Sequence, residues 1–224
     1  MDNSLNQATY ERFKKDILTF VLKPGDAVSA AKIAERYSVS RTPAREALVR
    51  LETEGLVDII PQSRSVISRI DLNKAQQEWF IRYSLEMGMV EKCINNITVN
   101  DIKEMRILSN QMLELTKEPK SHEASYKYQM ADNAFHAITY KASGELLAAN
   151  VIANTMAHYS RLRFLTDLED FYQDRTVSDH EKMITLIENK DTEGYREALK
   201  SHLGHILTDI PDLEKQYPAF FYSK

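Results

Sequence analysis

The stretch VSRTPAREALVRL, residues 39–51, decides the fold of the N-terminal part of this chain. It predicts a helix, because Ser40 or Thr42 can cap its start and Pro43 falls in its first turn, where a missing N–H does little harm. Gly55 is expected to end the helix at the C-cap position. The inward face consists of apolar residues at helical spacing: Ala44, Ala47, Leu48 and Leu51.

Two shorter helices are predicted before this one. Residues 10–22 carry apolar side chains three and four positions apart, which indicates an amphipathic helix that the sequence KPGD at 23–26 would end. Ser29 can cap a second helix. The inward face of that second helix would hold Ile33, Ala34 and Tyr37.

A β-hairpin is predicted after the third helix, because residues 57–60 and 65–70 are β-rich runs around PQSR at 61–64. Three helices and a hairpin in this order are typical of a winged helix-turn-helix, whose third helix enters the major groove of DNA. Arg41 and Arg45 lie one turn apart on the outward face of that helix. A planar guanidinium there can bind both acceptors on a guanine edge. The alternative is that both arginines are solvated surface charges.

Four stretches of this part form a recognisable set: PGD (24–26), IAE (33–35), VSRTPAREAL (39–48) and EGL (54–56). Together they resemble the winged-helix domain of GntR-family bacterial transcriptional regulators. The resemblance implies base or phosphate contacts for Arg41 and Arg45, and backbone phosphate contacts for Ser40 and Thr42. At the wing tip, where many members have a glycine, this chain has Arg64, which can reach a narrow minor groove or a phosphate.

The composition is that of an ordinary globular chain rich in helix, with 43% hydrophobic residues and only 6 Gly and 6 Pro among 224 residues. No run approaches the roughly 18 apolar residues that span a bilayer, and the N-terminus MDNSLNQATYERF does not resemble a signal peptide. The single cysteine, Cys93, fits a reducing cytoplasm and excludes a cysteine-rich zinc module. We therefore expect a cytoplasmic protein with no membrane partner, and the resemblance to GntR regulators implies that it is bacterial.

Charge is distributed unevenly along the chain. Residues 1–70 carry 11 Lys and Arg against 9 Asp and Glu, a net charge of +2, whereas the remainder has a net charge of −6. Such an asymmetry is compatible with two modules that have different partners. We place the boundary after residue 70 and call residues 1–70 the head and residues 71–224 the body.

The body has helical periodicity over almost its whole length, with an expected cap at Asn100 and a break at SGE, residues 143–145. The predicted helices span residues 78–91, 99–117, 121–142, 146–167, 179–189 and 191–208. The expected fold class is therefore mainly α, a winged helix-turn-helix followed by an all-helical bundle of about six helices.

An acid and a histidine lie four residues apart in the body, Asp132 and His136, so on a helix they share one face. A hydrogen-bonded pair in a core is the ordinary explanation. With His180 and His202 they would form a mixed set of three imidazoles and one carboxylate, which suits Zn, Ni or Mn. Sequence separation alone does not show that the four converge.

Five features extend the resemblance to the body: DNAFH at 132–136, ASG at 142–144, His180 followed by Asp191, His202, and YPAFF at 217–221. Together they resemble the FadR subfamily of GntR regulators, with its FCD ligand-binding domain. The resemblance implies that Asp132, His136, His180 and His202 bind one divalent metal ion per chain. A small carboxylate or hydroxyacid effector would bind beside that ion.

Arginine side chains are the candidates for holding the effector carboxylate. Arg82 lies in a stretch similar to the family motif R-x-x-L-E, whose arginine faces the pocket; an intrahelical ion pair is the equal alternative. Arg163 and Arg161 are weaker candidates on the same logic. Three other residues either line the pocket or simply pack: Asn133, Tyr140 and His158.

The leading functional hypothesis is a homodimeric, metal-containing regulator, expected to repress, that binds a short inverted-repeat operator and responds to a small organic acid. A metal-responsive regulator, in which the ion itself is the signal, is the first alternative. A metal-dependent hydrolase is the second, and it would need a general base near the ligands. The candidates for that base are Asp179, Glu181 and His205. A purely structural ion is the third alternative.

Overall fold

The computed structural model describes residues 2–60, 64–168 and 173–222. In the head, helices α1 (Asp2–Leu18), α2 (Ala30–Tyr37) and α3 (Arg41–Thr53) pack beside a small antiparallel sheet. Its strands are β1 (Ala27–Val28), β2 (Val57–Ile59) and β3 (Ser65–Ile67), in the order β1-β3-β2. This arrangement confirms the winged helix-turn-helix predicted from residues 39–51.

The inward faces of α2 and α3 are as predicted, because Ala44, Leu51 and Ile33 are almost completely buried in one apolar cluster. The Ser29 side chain accepts a hydrogen bond from the Lys32 N–H and so caps α2. Ser40 is at the N-cap position of α3, but its hydroxyl makes no capping hydrogen bond.

The first helix was predicted with the wrong bounds. It ends at Leu18 rather than at residue 22, and Phe20 follows in the left-handed region with φ 55°. This turn directs Phe20 into the apolar core of the body, where its ring lies 5.9 Å from Phe164 and 5.1 Å from Phe220 between centroids. Tertiary packing therefore overrides the helical spacing, and Val21 is left exposed.

The wing also differs from the prediction. A third strand, β1, pairs with β3 through Ala27 and Val66, although its two residues are too short for a periodic signal. Arg64 is exposed and its carbonyl accepts the Ile60 N–H, so these two residues pair at the end of the hairpin that adjoins residues 61–63. Residues 61–63, which precede Arg64 in the predicted turn of the wing, lie outside the described part of the chain.

Seven helices are described in the body, one more than predicted: α4 (Leu72–Asn96), α5 (Val99–Thr116), α6 (His122–Ser143), α7 (Leu146–Thr155), α8 (Ala157–Leu168), α9 (Gln173–Glu188) and α10 (Thr192–Gln216). A 3₁₀ turn at Pro218–Phe220 follows α10. The fold class, a winged helix-turn-helix followed by an all-helical bundle, is confirmed. No helix in the described ranges combines the length and apolarity that crossing a membrane requires.

Two helix boundaries of the body were wrong for identifiable reasons. Thr98, not Asn100, caps α5, in a capping box with Asp101. The predicted helix 146–167 is two helices separated at Met156. The first backbone N–H groups of α8 donate to the carboxylate of Glu78, 2.9 Å from the His158 N–H and 2.7 Å from the Tyr159 N–H. Because Glu78 belongs to α4, this cap has no local sequence signal.

The head and the body are joined by more than the chain between them. Arg161 of α8 is fully buried and donates to the Ser68 carbonyl at 2.7 Å and to the Arg69 carbonyl at 3.3 Å. The C-terminal tail adds a short parallel bridge, in which the Ile70 N–H donates to the Phe220 carbonyl at 2.8 Å. The Tyr222 hydroxyl donates to Asp58 of β2 at 2.6 Å.

Candidate metal centre and DNA-reading helix

Four side chains from three helices converge inside the body. Asp132 and His136 lie on α6, His180 on α9 and His202 on α10, and one ligand atom from each lies within 4.8 Å of the others. The Nε2 atoms of His136 and His202 are 3.2 Å apart, and His180 Nε2 lies 3.3 Å from Asp132 Oδ1. His136 and His180 have no exposed surface and Asp132 has 4%. The fold thus brings together the four residues that the sequence singled out.

His180 is the member of this cluster whose polar atoms are not satisfied. Its ring stacks on Phe135 with centroids 3.9 Å apart, and neither ring nitrogen makes a hydrogen bond within the described part of the chain. A buried polar atom without a partner costs about 1–3 kcal/mol. Burial, and then the neighbouring His202, lower the pKa of His180 well below its usual value. The imidazole is therefore neutral, which is the form that ligates metal ions.

A second layer of side chains orients the cluster. His136 Nδ1 is 3.0 Å from Glu86 Oε2, so its Nε2 points toward the other ligands. Glu86 Oε1 accepts hydrogen bonds from Arg82 Nε at 2.5 Å and from the Tyr140 hydroxyl at 2.7 Å. Burial opposes ionisation of Glu86, but the Arg82 guanidinium and His136 outweigh it and lower the pKa of that carboxyl.

The two other ligand positions are also supported. The Asp132 carboxylate accepts a hydrogen bond from Arg163, whose other terminal nitrogen donates to Asn133 Oδ1 at 2.8 Å. Burial alone would raise the pKa of Asp132, but Arg163 and the imidazoles outweigh it, so the group is ionised. His202 Nδ1 is 3.4 Å from Asp179 Oδ2, and His205 Nε2 is 3.0 Å from the same oxygen.

Sequence analysis did not identify Glu86 or Asp179 as orienting partners of the cluster. Glu86 is the acid of the R-x-x-L-E stretch that drew attention to Arg82, so its position in that motif was the available signal. Asp179 directly precedes the ligand candidate His180, but nothing in the sequence indicated that it would face His202 and His205 instead.

The arginine candidates occupy three different environments. Arg82 is buried in its ion pair with Glu86, as the intrahelical alternative supposed, although it also lines the cavity beside the cluster. Arg163 reaches both Asp132 and that cavity. Arg161 faces the junction with the head and does not line that cavity. The same holds for His158, whose Nδ1 accepts the Asp71 N–H at 3.0 Å.

A cavity of about 570 Å³ lies between α6, α7 and α8. His136 is the member of the four-residue cluster that lines it, together with Asn133 and Tyr140. A much smaller cavity of about 60 Å³ is lined by Asp132 and His202 and shares Arg82, Tyr159 and Arg163 with the larger one. Members of the cluster therefore line both a space of ligand size and a space of water size.

The outward face of α3 is open to solvent. Arg41, Thr42 and Arg45 are exposed along a shallow groove, and neither arginine forms an ion pair with the described part of the chain. Arg50, one turn further on, is held against α1 with its guanidinium 3.5 Å from the Tyr10 ring centroid. Free guanidinium groups at the start of the third helix are where a winged helix-turn-helix meets the edges of DNA bases.

Comparisons with known families agree with this architecture. Residues 5–67 match the family of bacterial regulatory proteins named gntR, and residues 79–205 match the FCD domain family. An HTH-type transcriptional regulator in an unstable DNA locus of Streptomyces ambofaciens is 27% identical over 212 residues, which cover 95% of this chain and 87% of that protein. The HTH-type transcriptional repressor RspR of Escherichia coli K12 is 23% identical over 218 residues, 97% of this chain and 93% of its own.

Solved structures show the same fold. Escherichia coli McbR/YncC superposes with a TM-score of 0.76 at 21% identity, over 95% of this chain and 98% of that one. A GntR regulator from Rhodococcus sp. RHA1 gives a TM-score of 0.73 at 16% identity, over 98% of this chain and 100% of that one.

Proposed function

This chain belongs to the GntR family of bacterial transcriptional regulators and carries an FCD domain, and from that premise we propose that it is a repressor controlled by a small organic acid bound beside a divalent metal ion. The observation that carries the metal is the buried His180, whose two ring nitrogens make no hydrogen bond with the described residues although three further ligand groups surround it. The three imidazoles and the Asp132 carboxylate would hold Zn, Ni or Mn. An ion there would supply open positions for carboxylate oxygens.

The DNA partner would be a short inverted repeat in double-stranded DNA. Arg41 and Arg45 would read base edges from the start of α3, with Ser40 and Thr42 on the phosphates. Arg64, directly before β3 in the wing, would contact a phosphate or the minor groove.

A homodimer would match the symmetry of such an operator. The outer face of α4 and the start of α7 support this proposal, since Phe80, Leu146 and Leu147 are 62%, 66% and 77% exposed. Lys92 of α4 forms an ion pair with Glu145, the residue directly before α7, so the two helices adjoin here. Exposed apolar surface on adjoining helices is a common mark of a protein interface.

Control of DNA affinity would run through α8, which touches both the cluster and the head. An acid that binds one arrangement of Arg163 more tightly than another would shift α8 and, through Arg161, the backbone of Ser68 and Arg69. We propose no enzymatic activity. Asp179, the acid beside the cluster, is engaged by two histidines, and Glu181 is paired with Arg106.

The test of this function has two steps. Metal analysis of the purified protein should give near one divalent ion per chain. Selection of binding sites from random double-stranded DNA should then return an inverted repeat, and acids that raise the melting temperature should change affinity for it only when the metal is present. If the acid changes DNA affinity equally with and without chelator, the metal is not part of the effector site.

A further inference from the structure

The cavity beside the four-residue cluster has two unlike walls. One wall is charged and polar, with His136, Arg82 and Arg163. The other is an apolar stripe of α7 and of the residue that follows it, at positions i, i+3, i+4 and i+7: Ala149, Ile152, Ala153 and Met156. A ligand that fills this cavity would therefore meet polar groups at one end and hydrocarbon at the other.

Small side chains provide the room between these walls. Ala134 and Ala137 of α6 face the cavity on either side of His136 along the helix, and the Tyr159 ring adds further apolar surface. Among the described α7 residues that line the cavity, Asn150 is the only polar one. The volume of about 570 Å³ falls within the range of small-molecule pockets.

We infer that the ligand is an amphiphilic 2-hydroxy monocarboxylic acid with an aliphatic chain of about four to six carbons in total, the carboxyl carbon included. Its carboxylate and hydroxyl would lie at the metal side near Arg163, and its chain would lie along α7. A polyhydroxylated acid fits poorly, because several hydroxyls along α7 would leave water and Asn150 is the one polar residue that the described part of this helix offers them. This inference rests on the proposed function, in which an organic acid binds beside the ion.

The test is calorimetric titration of the full-length, zinc-loaded protein with lactate, 2-hydroxybutanoate, 2-hydroxyhexanoate and gluconate. Burial of each added methylene should lower Kd by about fourfold, or roughly sixtyfold over the three methylenes from lactate to 2-hydroxyhexanoate. Gluconate has the same six carbons as 2-hydroxyhexanoate and should bind more weakly. A Kd that is flat along the series, or tighter binding of gluconate, overturns the inference and leaves the proposed function standing. Zinc binding without binding of any acid overturns both.

Two substitutions in α7 test whether the aliphatic chain of the ligand lies along that helix. Ala153→Leu adds bulk to the apolar wall, so it should weaken 2-hydroxyhexanoate at least tenfold while sparing lactate and zinc content. Asn154→Leu places the same side chain at the next position of α7, which does not line the cavity, and should change neither acid. Equal loss of both acids in Ala153→Leu, or no loss of either, would show that the chain does not lie along α7.

Discussion

Arg161 and Arg163, two residues apart on α8, donate hydrogen bonds in two directions. Arg161 donates to the Ser68 carbonyl at the junction with the head, and Arg163 donates to the Asp132 carboxylate in the four-residue cluster. One short helix thus contacts both the proposed sensor and the backbone that leads to the DNA-binding head.

Loss of the Arg161 hydrogen bonds should uncouple acid binding in the body from DNA binding by the head. Arg161→Lys keeps the charge but loses the fork that reaches Ser68 and Arg69. We expect unchanged metal content and acid affinity, but a several-fold smaller effect of acid on DNA affinity, measured by fluorescence anisotropy. Arg69→Lys, at an exposed side chain next to the junction, is the matched control and should keep the full response. If the acid changes DNA affinity in Arg161→Lys as much as in the wild type, Arg161 does not transmit the signal from the body to the head.

Replacement of His180 should have opposite effects with and without metal. In chelator-treated protein, His180→Leu removes two unpaired buried nitrogens, so it should unfold at least as late as the wild type in urea. With zinc in about hundredfold excess over Kd, the wild type should gain about 3 kcal/mol in the free energy of unfolding and the variant almost nothing.

Metal content provides the check on this prediction. It should fall from near one ion per chain to a small fraction in His180→Leu and stay unchanged in His205→Ala, whose histidine touches Asp179 but lies outside the cluster. Full occupancy in His180→Leu would exclude that residue as a ligand.

The exposed arginines of α3 should contribute to DNA binding but not to stability or metal binding. Arg45→Ala is expected to cost about 1–3 kcal/mol of operator binding and to relax base preference at one position of each half-site. Because Arg45 makes no ion pair in the described structure, the melting temperature and metal content should not change. Lys103→Ala, an exposed cation on α5, is the control; equal losses from both variants would argue for nonspecific electrostatics.

Low pH should destabilise the junction between head and body through protonation of His158. Burial, followed by the charge of Arg161, lowers the pKa of His158 to about 3. Between that value and the ordinary histidine pKa, the unfolded chain binds a proton that the folded chain does not, so the free energy of unfolding falls as the pH drops below about 6.5.

At pH 5 this difference amounts to about 2 kcal/mol. Urea unfolding in chelator at pH 7 and pH 5 should therefore show a smaller acid-induced loss in His158→Gln, whose amide oxygen can still accept the Asp71 N–H. An identical loss in both proteins would place the titration elsewhere.

The proposed dimer surface can be tested by charge insertion. Leu147→Glu adds a carboxylate to the most exposed apolar residue of α7 and should convert a dimer into a monomer in light scattering after size exclusion. Val99→Glu makes the same kind of change on α5, at a side chain that is 70% exposed, and should remain dimeric. A dimer that survives Leu147→Glu would place the interface on another face.

Local patterns predicted the head well, because Ala44, Leu48 and Leu51 bury one face of a single helix and Ser29 caps the one before it. They failed where a distant residue decides the outcome. Phe20 leaves the helical path to enter the core of the body. Glu78 caps α8 from another helix and so separates it from α7.

The candidate site follows the same division. The spacing of Asp132 and His136 on α6 indicated a shared helix face, but the approach of His180 and His202 depends on how α9 and α10 pack against α6. That packing is spread over many apolar contacts and has no local signature. The resemblance to a family supplied what periodicity could not, and the orienting role of Glu86 emerged only from the coordinates.

The way the tail closes over the junction sets a rule for building chimeric regulators from this chain. A foreign head joined after residue 70 would arrive without Phe20, which fills part of the core of the body, and without Asp58, which receives the Tyr222 hydroxyl. It would also need a backbone that can accept the hydrogen bonds of Arg161. A graft that transplants only the recognition surface of α3 into the native head would keep all of these contacts, and so would be the sounder way to redirect the protein to a new operator.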